Sequence, residues 1–157
     1  MNKIQLHQQL MMHLDVLLNN VKVAAKQAHE TATSEENVAE NKYDTLALEA
    51  AYLAQGQSQR VMQCQANIDA CIKLPITKAT KVELGALVVL MGPHQQTKYL
   101  LICPVAGGVK LQWDQHTVLV VTPHSPMGAA LLNHQEGEEV DIIVANKKQH
   151  YEIIQII

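Results

Sequence analysis

Glu35, Glu36, Glu40 and Asp44 bring four carboxylates into one short stretch of the chain. The surrounding residues, Thr31 to Asn41, are rich in helix caps and poor in large apolar side chains. Carboxylate oxygens are the donors that hard cations such as Mg²⁺ prefer, and Mg²⁺ takes a few of them while keeping the rest of its shell open. These residues could therefore serve a metal at a site completed by another molecule. The same residues also suit a solvated turn whose acids favour the start of a following helix through its dipole. Both readings stay open on spacing alone.

The other chemistry-capable residues lack such grouping. The chain has eight histidines. His7 and His13 fall on different faces of a helix, and His94, His116, His124, His134 and His150 are scattered through the second half. There is no His-x-His, no helical His-x-x-x-His and no Cys-x-x-Cys, so no zinc site is expected. Cys64 and Cys71 are one heptad apart, as two seam positions would be, and Cys103 lies in a β-like run. All three read as small buried hydrophobes. No phosphate loop, dinucleotide fingerprint or Gly-x-Ser-x-Gly is present. A stand-alone enzyme with a small-molecule substrate is not expected.

The positioning elements divide at Pro75. Before it the only glycine is Gly56 and there is no proline. Leu10, Leu14, Leu17, Val21, Ala24 and Ala28 alternate steps of four and three, a heptad seam. A second, less regular seam runs through Leu46, Ala50, Leu53, Gln57, Val61, Cys64, Ile68 and Cys71. Two helices of roughly 30 residues, each about 45 Å long, fold most simply as an antiparallel hairpin over residues 1–75. Its acidic tip falls around residues 34–44. The same seams also permit a helical bundle formed by dimerisation.

After Pro75 and a polar linker the texture becomes β. Glu83 to Met91, Tyr99 to Cys103, Val118 to Thr122, Glu139 to Ala145 and His150 to Ile157 are short branched runs bounded by turn formers. Asn146 to Gln149 can join the last two as a hairpin. Ser125 is a good N-cap and Pro126 suits the first helical position, so one short helix starts there. The expected fold class is α+β. A coiled-coil hairpin is followed over residues 80–157 by a small antiparallel sheet, about five strands, with the short helix over one face. With 3% aromatic residues and no Phe, the core is aliphatic. Trp113 is either a surface anchor for a partner or a plug for one edge of that core.

Composition narrows the function classes. A net charge of −3 gives no support for a nucleic-acid binder. No apolar run approaches a membrane span, and the first residues lack a signal-peptide core. An odd number of cysteines without a signal points to reduced thiols in a cytoplasmic protein.

With both halves in view, the chain resembles the bacterial Gre transcript-cleavage factors (GreA/GreB). Val82-Glu83-Leu84-Gly85-Ala86-Leu87-Val88-Val89 looks like the opening strand of the family's C-terminal domain. Ser125-Pro126-Met127-Gly128-Ala129-Ala130-Leu131-Leu132, with Gly137 and Val140, looks like its later signature, and Tyr151-Glu152-Ile153-Ile154 like its closing strand. At the tip, Glu40-Asn41 followed by Tyr43 resembles the family's acidic tip, although one residue shorter. The family's second tip acid, an Asp, is replaced by Asn37, with Glu36 adjacent.

The resemblance implies an FKBP-like C-terminal domain that docks on RNA polymerase at its secondary channel. On that resemblance Ser125, Pro126, Met127 and Gly128 would be the partner-binding residues. The hairpin would carry Glu40, supported by Glu36 or Glu35 and with Asp44 nearby, to the polymerase's active site. There they would share Mg²⁺ without the protein stably binding any cofactor. DNA and nascent RNA would be met only indirectly, and no membrane is involved. The protein would stimulate or modulate the polymerase's own hydrolysis of backtracked transcripts, or block the channel without cleavage. Alternatives of another class are an FKBP-like isomerase or chaperone, for which the sheet offers few aromatics, and a coiled-coil adaptor.

Overall fold

The computed structural model describes residues 2–33, 45–144 and 147–157. The tip residues Glu35, Glu36, Asn37, Glu40, Asn41, Tyr43 and Asp44 lie outside them. Among the described residues, two long helices, α1 (Lys3–Ala32) and α2 (Leu46–Ile72), precede six strands, one short α-helix and a single 3-10 turn at Pro93–Gln95. The strands are β1 (Leu87–Met91), β2 (Thr97–Ile102), β3 (Lys110–Trp113), β4 (His116–Val121), β5 (Glu139–Val144) and β6 (Lys147–Ile156), and α3 (Pro126–Leu131) stands between β4 and β5. The chain divides into two compact units, Met12–Asp69 and Met1–Met11 with Ala70–Ile157. The two ends of the helical pair thus belong to the sheet unit.

In the unit Met12–Asp69 the helices form a hairpin. Leu14, Leu18, Val21 and Ala28 are buried on α1, and Ala54, Cys64 and Ile68 on α2. Leu17, Val21 and Ala24 face Gln57 and Arg60 across a shallow groove. The expected α2 seam holds at Cys64 and Ile68 but fails earlier, because Leu46 and Leu53 are 63% and 57% exposed. Strict three–four alternation counted back from Cys64 lands on Val61, Gln57, Ala54, Ala50 and Ala47. The small alanines face α1 there, and the larger leucines one position away are turned to solvent.

In the other unit the strands form a single six-stranded sheet in the order β3-β4-β2-β1-β6-β5. The expected purely antiparallel sheet is corrected to a mixed one, since β2 and β4 are parallel. The cause is β3, a strand that the polar stretch around Trp113 concealed. The chain leaves β2, skips one strand position and returns as β3. It then turns back through Asp114, which takes a left-handed conformation at φ 49°, so that β4 fills the vacant position alongside β2. Asp tolerates that conformation better than most residues. The last hairpin is longer than expected, because Lys147 to Gln149 pair with Val144 to Ile142 instead of forming a loop.

β1 lies in the middle of the sheet and is buried on both faces. Val88 and Leu90 join the core beneath α3 with Leu100, Ile102, Leu131, Ile142, Tyr151 and Ile153. Leu87 and Val89 alternate to the opposite face. There the first turns of α1, with Leu6 and Leu10 buried, are fastened to the sheet. Gln9 makes a two-way amide pairing with the backbone of Gln112 on edge strand β3 (2.9 and 2.8 Å). The Lys3 ammonium donates to the carbonyls of Thr77 (2.6 Å) and Ile157 (2.9 Å). Burial holds the Lys3 pKa below its ordinary value, with Glu83 opposing that shift.

Candidate docking surface

Ser125 makes the turn from β4 into α3. Its hydroxyl donates to the Thr122 carbonyl (2.8 Å) and accepts from the Gly128 N–H (3.0 Å), while its backbone N–H also donates to Thr122 (3.0 Å). Pro126 occupies the first helical position, where no N–H is needed. Gly128 permits the close approach of α3 to the end of β4, since a Cβ there would lie 2.0 Å from the Thr122 carbonyl oxygen. Leu131 anchors the helix in the core, with Met127 and Ala130 half-buried beside it. At the far end the Asn133 N–H donates to the Val82 carbonyl and the Val82 N–H to that of His134, both at 2.8 Å, tying the helix exit to the segment before β1.

Ser125, Pro126 and Met127 line one wall of an open, largely apolar groove of about 410 Å³. Leu119 to Val121 of β4 and the following Thr122 form its floor, and Gly107 and Gly108 its other side. Gly108 sits at φ 91° and its N–H donates to the Val120 carbonyl (2.9 Å), so the loop after β2 lies against β4 without side chains at these two positions. Gly128, the fourth predicted partner-binding residue, is buried beneath this wall and acts by positioning it. Sequence alone places Leu119 in a β run and Gly107-Gly108 at a turn but does not bring them to Ser125, because β4 comes to lie beside β2 only through their parallel pairing.

Other polar and aromatic groups lie elsewhere on the sheet. Trp113 is half-buried, with its ring 5.8 Å from Tyr99 in an edge-on arrangement and 5.5 Å from His116. On the exposed face of β5 and β6, His150 bridges Asp141 (3.0 Å) and Glu139 (3.2 Å), and Lys148 meets Asp141 at 2.9 Å. The hydrogen bond to Asp141 raises the His150 pKa, and the bonds from Lys148 and His150 lower that of Asp141. Among the described residues no three His, Cys, Asp or Glu side chains are grouped to hold a metal ion. No helix among them is long and apolar enough to cross a membrane.

Residues 77–157 match the family described as transcription elongation factor, GreA/GreB, C-terminal. No curated protein sequence matches the chain. Among solved structures, the chain is similar to the GreA factor homolog 1 (Gfh1) protein of Thermus thermophilus at 17% identity, covering 94% of each chain, with a TM-score of 0.39. It is also similar to Gfh1 of Thermus aquaticus at 21% identity, covering 97% of this chain and 94% of that one, with a TM-score of 0.39. A GreA/GreB elongation factor from Nitrosomonas europaea is 14% identical, over 69% of this chain and 91% of its own, with a TM-score of 0.37.

Proposed function

The chain belongs to the GreA/GreB family of transcription elongation factors, and from that premise we propose that it binds RNA polymerase through the secondary channel and modulates or stimulates cleavage of backtracked transcripts. The family match over residues 77–157, just over half of the chain, carries the proposal. The groove walled by Ser125, Pro126 and Met127 is its docking surface, and Gly128 positions that wall. The helical hairpin supports the reading, because a 30-residue helix such as α1 is about 45 Å long, enough to reach down a channel.

Between the two helices the segment 34–44 supplies Glu40 as the main carboxylate, Glu36 or Glu35 in support, and Asp44 nearby. Their oxygens are the donor type that Mg²⁺ takes. Such an ion, shared with the polymerase's active site, would activate water toward the RNA phosphodiester. The protein itself is then an accessory to the polymerase's hydrolysis and binds no small-molecule substrate. DNA and RNA are met through the polymerase.

Asn37 favours a second reading within the same architecture. It stands where the family resemblance places an Asp, and it offers a neutral oxygen without charge. If Glu36 does not substitute for it, the protein occupies the channel without promoting cleavage. A cleavage assay on a backtracked elongation complex tests both readings with the wild type, Glu40→Ala and Asn37→Asp. Release of short 3′ RNA fragments by the wild type, abolished in Glu40→Ala, establishes the cleavage factor. An inert wild type that competes with an active cleavage factor, with cleavage gained in Asn37→Asp, establishes the blocker. A wild type that shows no cleavage and does not compete with an active cleavage factor would overturn the proposal.

A further inference from the structure

The Cys71 and Cys103 sulfurs lie 3.5 Å apart, and both residues are fully buried. Cys71 is in the last turn of α2, and its carbonyl accepts a hydrogen bond from His7 Nε2 (2.8 Å). Cys103 directly follows β2, where its N–H donates to the Val121 carbonyl (2.9 Å). The residues lie 32 apart in sequence and belong to the same compact unit. Cys64, also buried, is one heptad before Cys71, about 10 Å along the helix, and out of bonding reach of it.

Packing alone explains two buried cysteines. It does not require two thiols in hydrogen-bonding contact. A disulfide needs the sulfurs at about 2.05 Å, so the pair must close by roughly 1.5 Å. We propose that Cys71 and Cys103 form a redox modification site, in which a hydroperoxide converts the two thiols reversibly into an intramolecular disulfide. The proposal is independent of polymerase binding.

The order of events follows from the contacts. Either thiol can donate in their shared hydrogen bond, and the arrangement with Cys71 donating raises the Cys71 pKa and lowers that of Cys103. A hydrogen bond from the Val105 backbone also favours the Cys103 thiolate, while burial opposes it. Cys103 is thus the first nucleophile. Its sulfur attacks one peroxide oxygen, the O–O bond breaks, and the departing alkoxide takes a proton to leave as an alcohol, or as water from hydrogen peroxide. The Cys103 sulfenic acid that results is attacked by the Cys71 sulfur. The S–O bond breaks, the S–S bond forms, and the hydroxide leaves with the Cys71 proton as water. In sum the two thiols lose two protons and two electrons, and one peroxide takes them up to give an alcohol and water, or two waters from hydrogen peroxide. Because both sulfurs are buried, the reaction waits on local opening at the end of α2 and is slow.

The product ties α2 to the loop that continues through Gly107 and Gly108 to the groove. Closing a loop of this length should raise Tm by roughly 5–10 °C. The test exposes the full chain to hydrogen peroxide, then alkylates it in denaturant with N-ethylmaleimide. The expected result is one alkylated cysteine, Cys64, a linked Cys71–Cys103 peptide pair, a raised Tm, and recovery of all three thiols with dithiothreitol. Cys64→Ala should form the same link. Three alkylatable thiols after exposure, a link that involves Cys64, or sulfinic acids without a link would overturn the proposal.

Discussion

Two glycines inside helices should respond to the same substitution with opposite sign. At Gly128 an added Cβ would sit 2.0 Å from the Thr122 carbonyl oxygen, 2.8 Å from its carbon and 3.2 Å from the Cα of Pro123. All three are backbone atoms and cannot rotate away, so α3 must retreat by at least about 1 Å to reach the closest contact that real Cβ atoms make. That movement stretches both hydrogen bonds from Ser125 to Thr122, now 2.8 and 3.0 Å. Overpacking of this kind costs about 1–3 kcal/mol, and each lost hydrogen bond about 1 kcal/mol. Gly128→Ala should therefore lose about 2–4 kcal/mol, a fall in Tm of roughly 5–15 °C. At Gly56 nothing lies within 4 Å of the built Cβ and the residue is in mid-helix. Gly56→Ala should gain about 0.5–1 kcal/mol and raise Tm by a few degrees, because alanine loses less backbone entropy. Thermal melts of the wild type and both variants, followed by circular dichroism, read the contrast. A Gly128→Ala melt within about 2 °C of the wild type would refute the close approach of α3 to Thr122 and with it the account of how the groove wall is positioned.

Lys3→Ala leaves the Thr77 and Ile157 carbonyls without the ammonium that satisfies them, and chemical denaturation should show a loss of about 1–3 kcal/mol. His150 should titrate above its ordinary value, and Asp141→Asn should return it toward that value in an NMR titration. With a raised folded-state pKa, the His150 contribution to stability is fully present below the unfolded pKa and lost as pH rises through the folded one. The Asp141 contribution has the opposite sense, present above its unfolded pKa and lost as pH falls through the folded one.

Much of the scaffold was legible in the sequence for physical reasons. A glycine- and proline-poor half with three–four spacing has few folds other than long paired helices, and Ser125-Pro126 announces a helix start by its capping chemistry. On α2 alanine and leucine compete for the seam: hydrophobicity favours Leu53, while close helix packing favours Ala54. β3 carries almost no apolar pattern, because Lys110 to Trp113 is an edge strand with only Leu111 deeply buried. The parallel pairing of β2 with β4 follows from that strand and could not be read without it. The groove opposite Ser125 escaped for the same reason, since its floor and far side come from residues distant in sequence. The link between Gln9 and Gln112 carries no sequence signal, because both are ordinary surface amides.

The central claim is that this groove docks the protein on RNA polymerase. Pro126 is exposed on the groove wall at the first position of α3, where glutamate suits the helix dipole, so Pro126→Glu places a charge in the groove without loss of the helix. Binding of the full chain to bacterial core RNA polymerase, measured at modest salt for the wild type and Pro126→Glu, is the direct test. The account predicts specific binding by the wild type, competition with an authentic Gre factor, and at least a tenfold loss in Pro126→Glu with Tm unchanged. A wild-type chain that does not bind core polymerase would contradict the claim, and so would a Pro126→Glu variant that binds equally well.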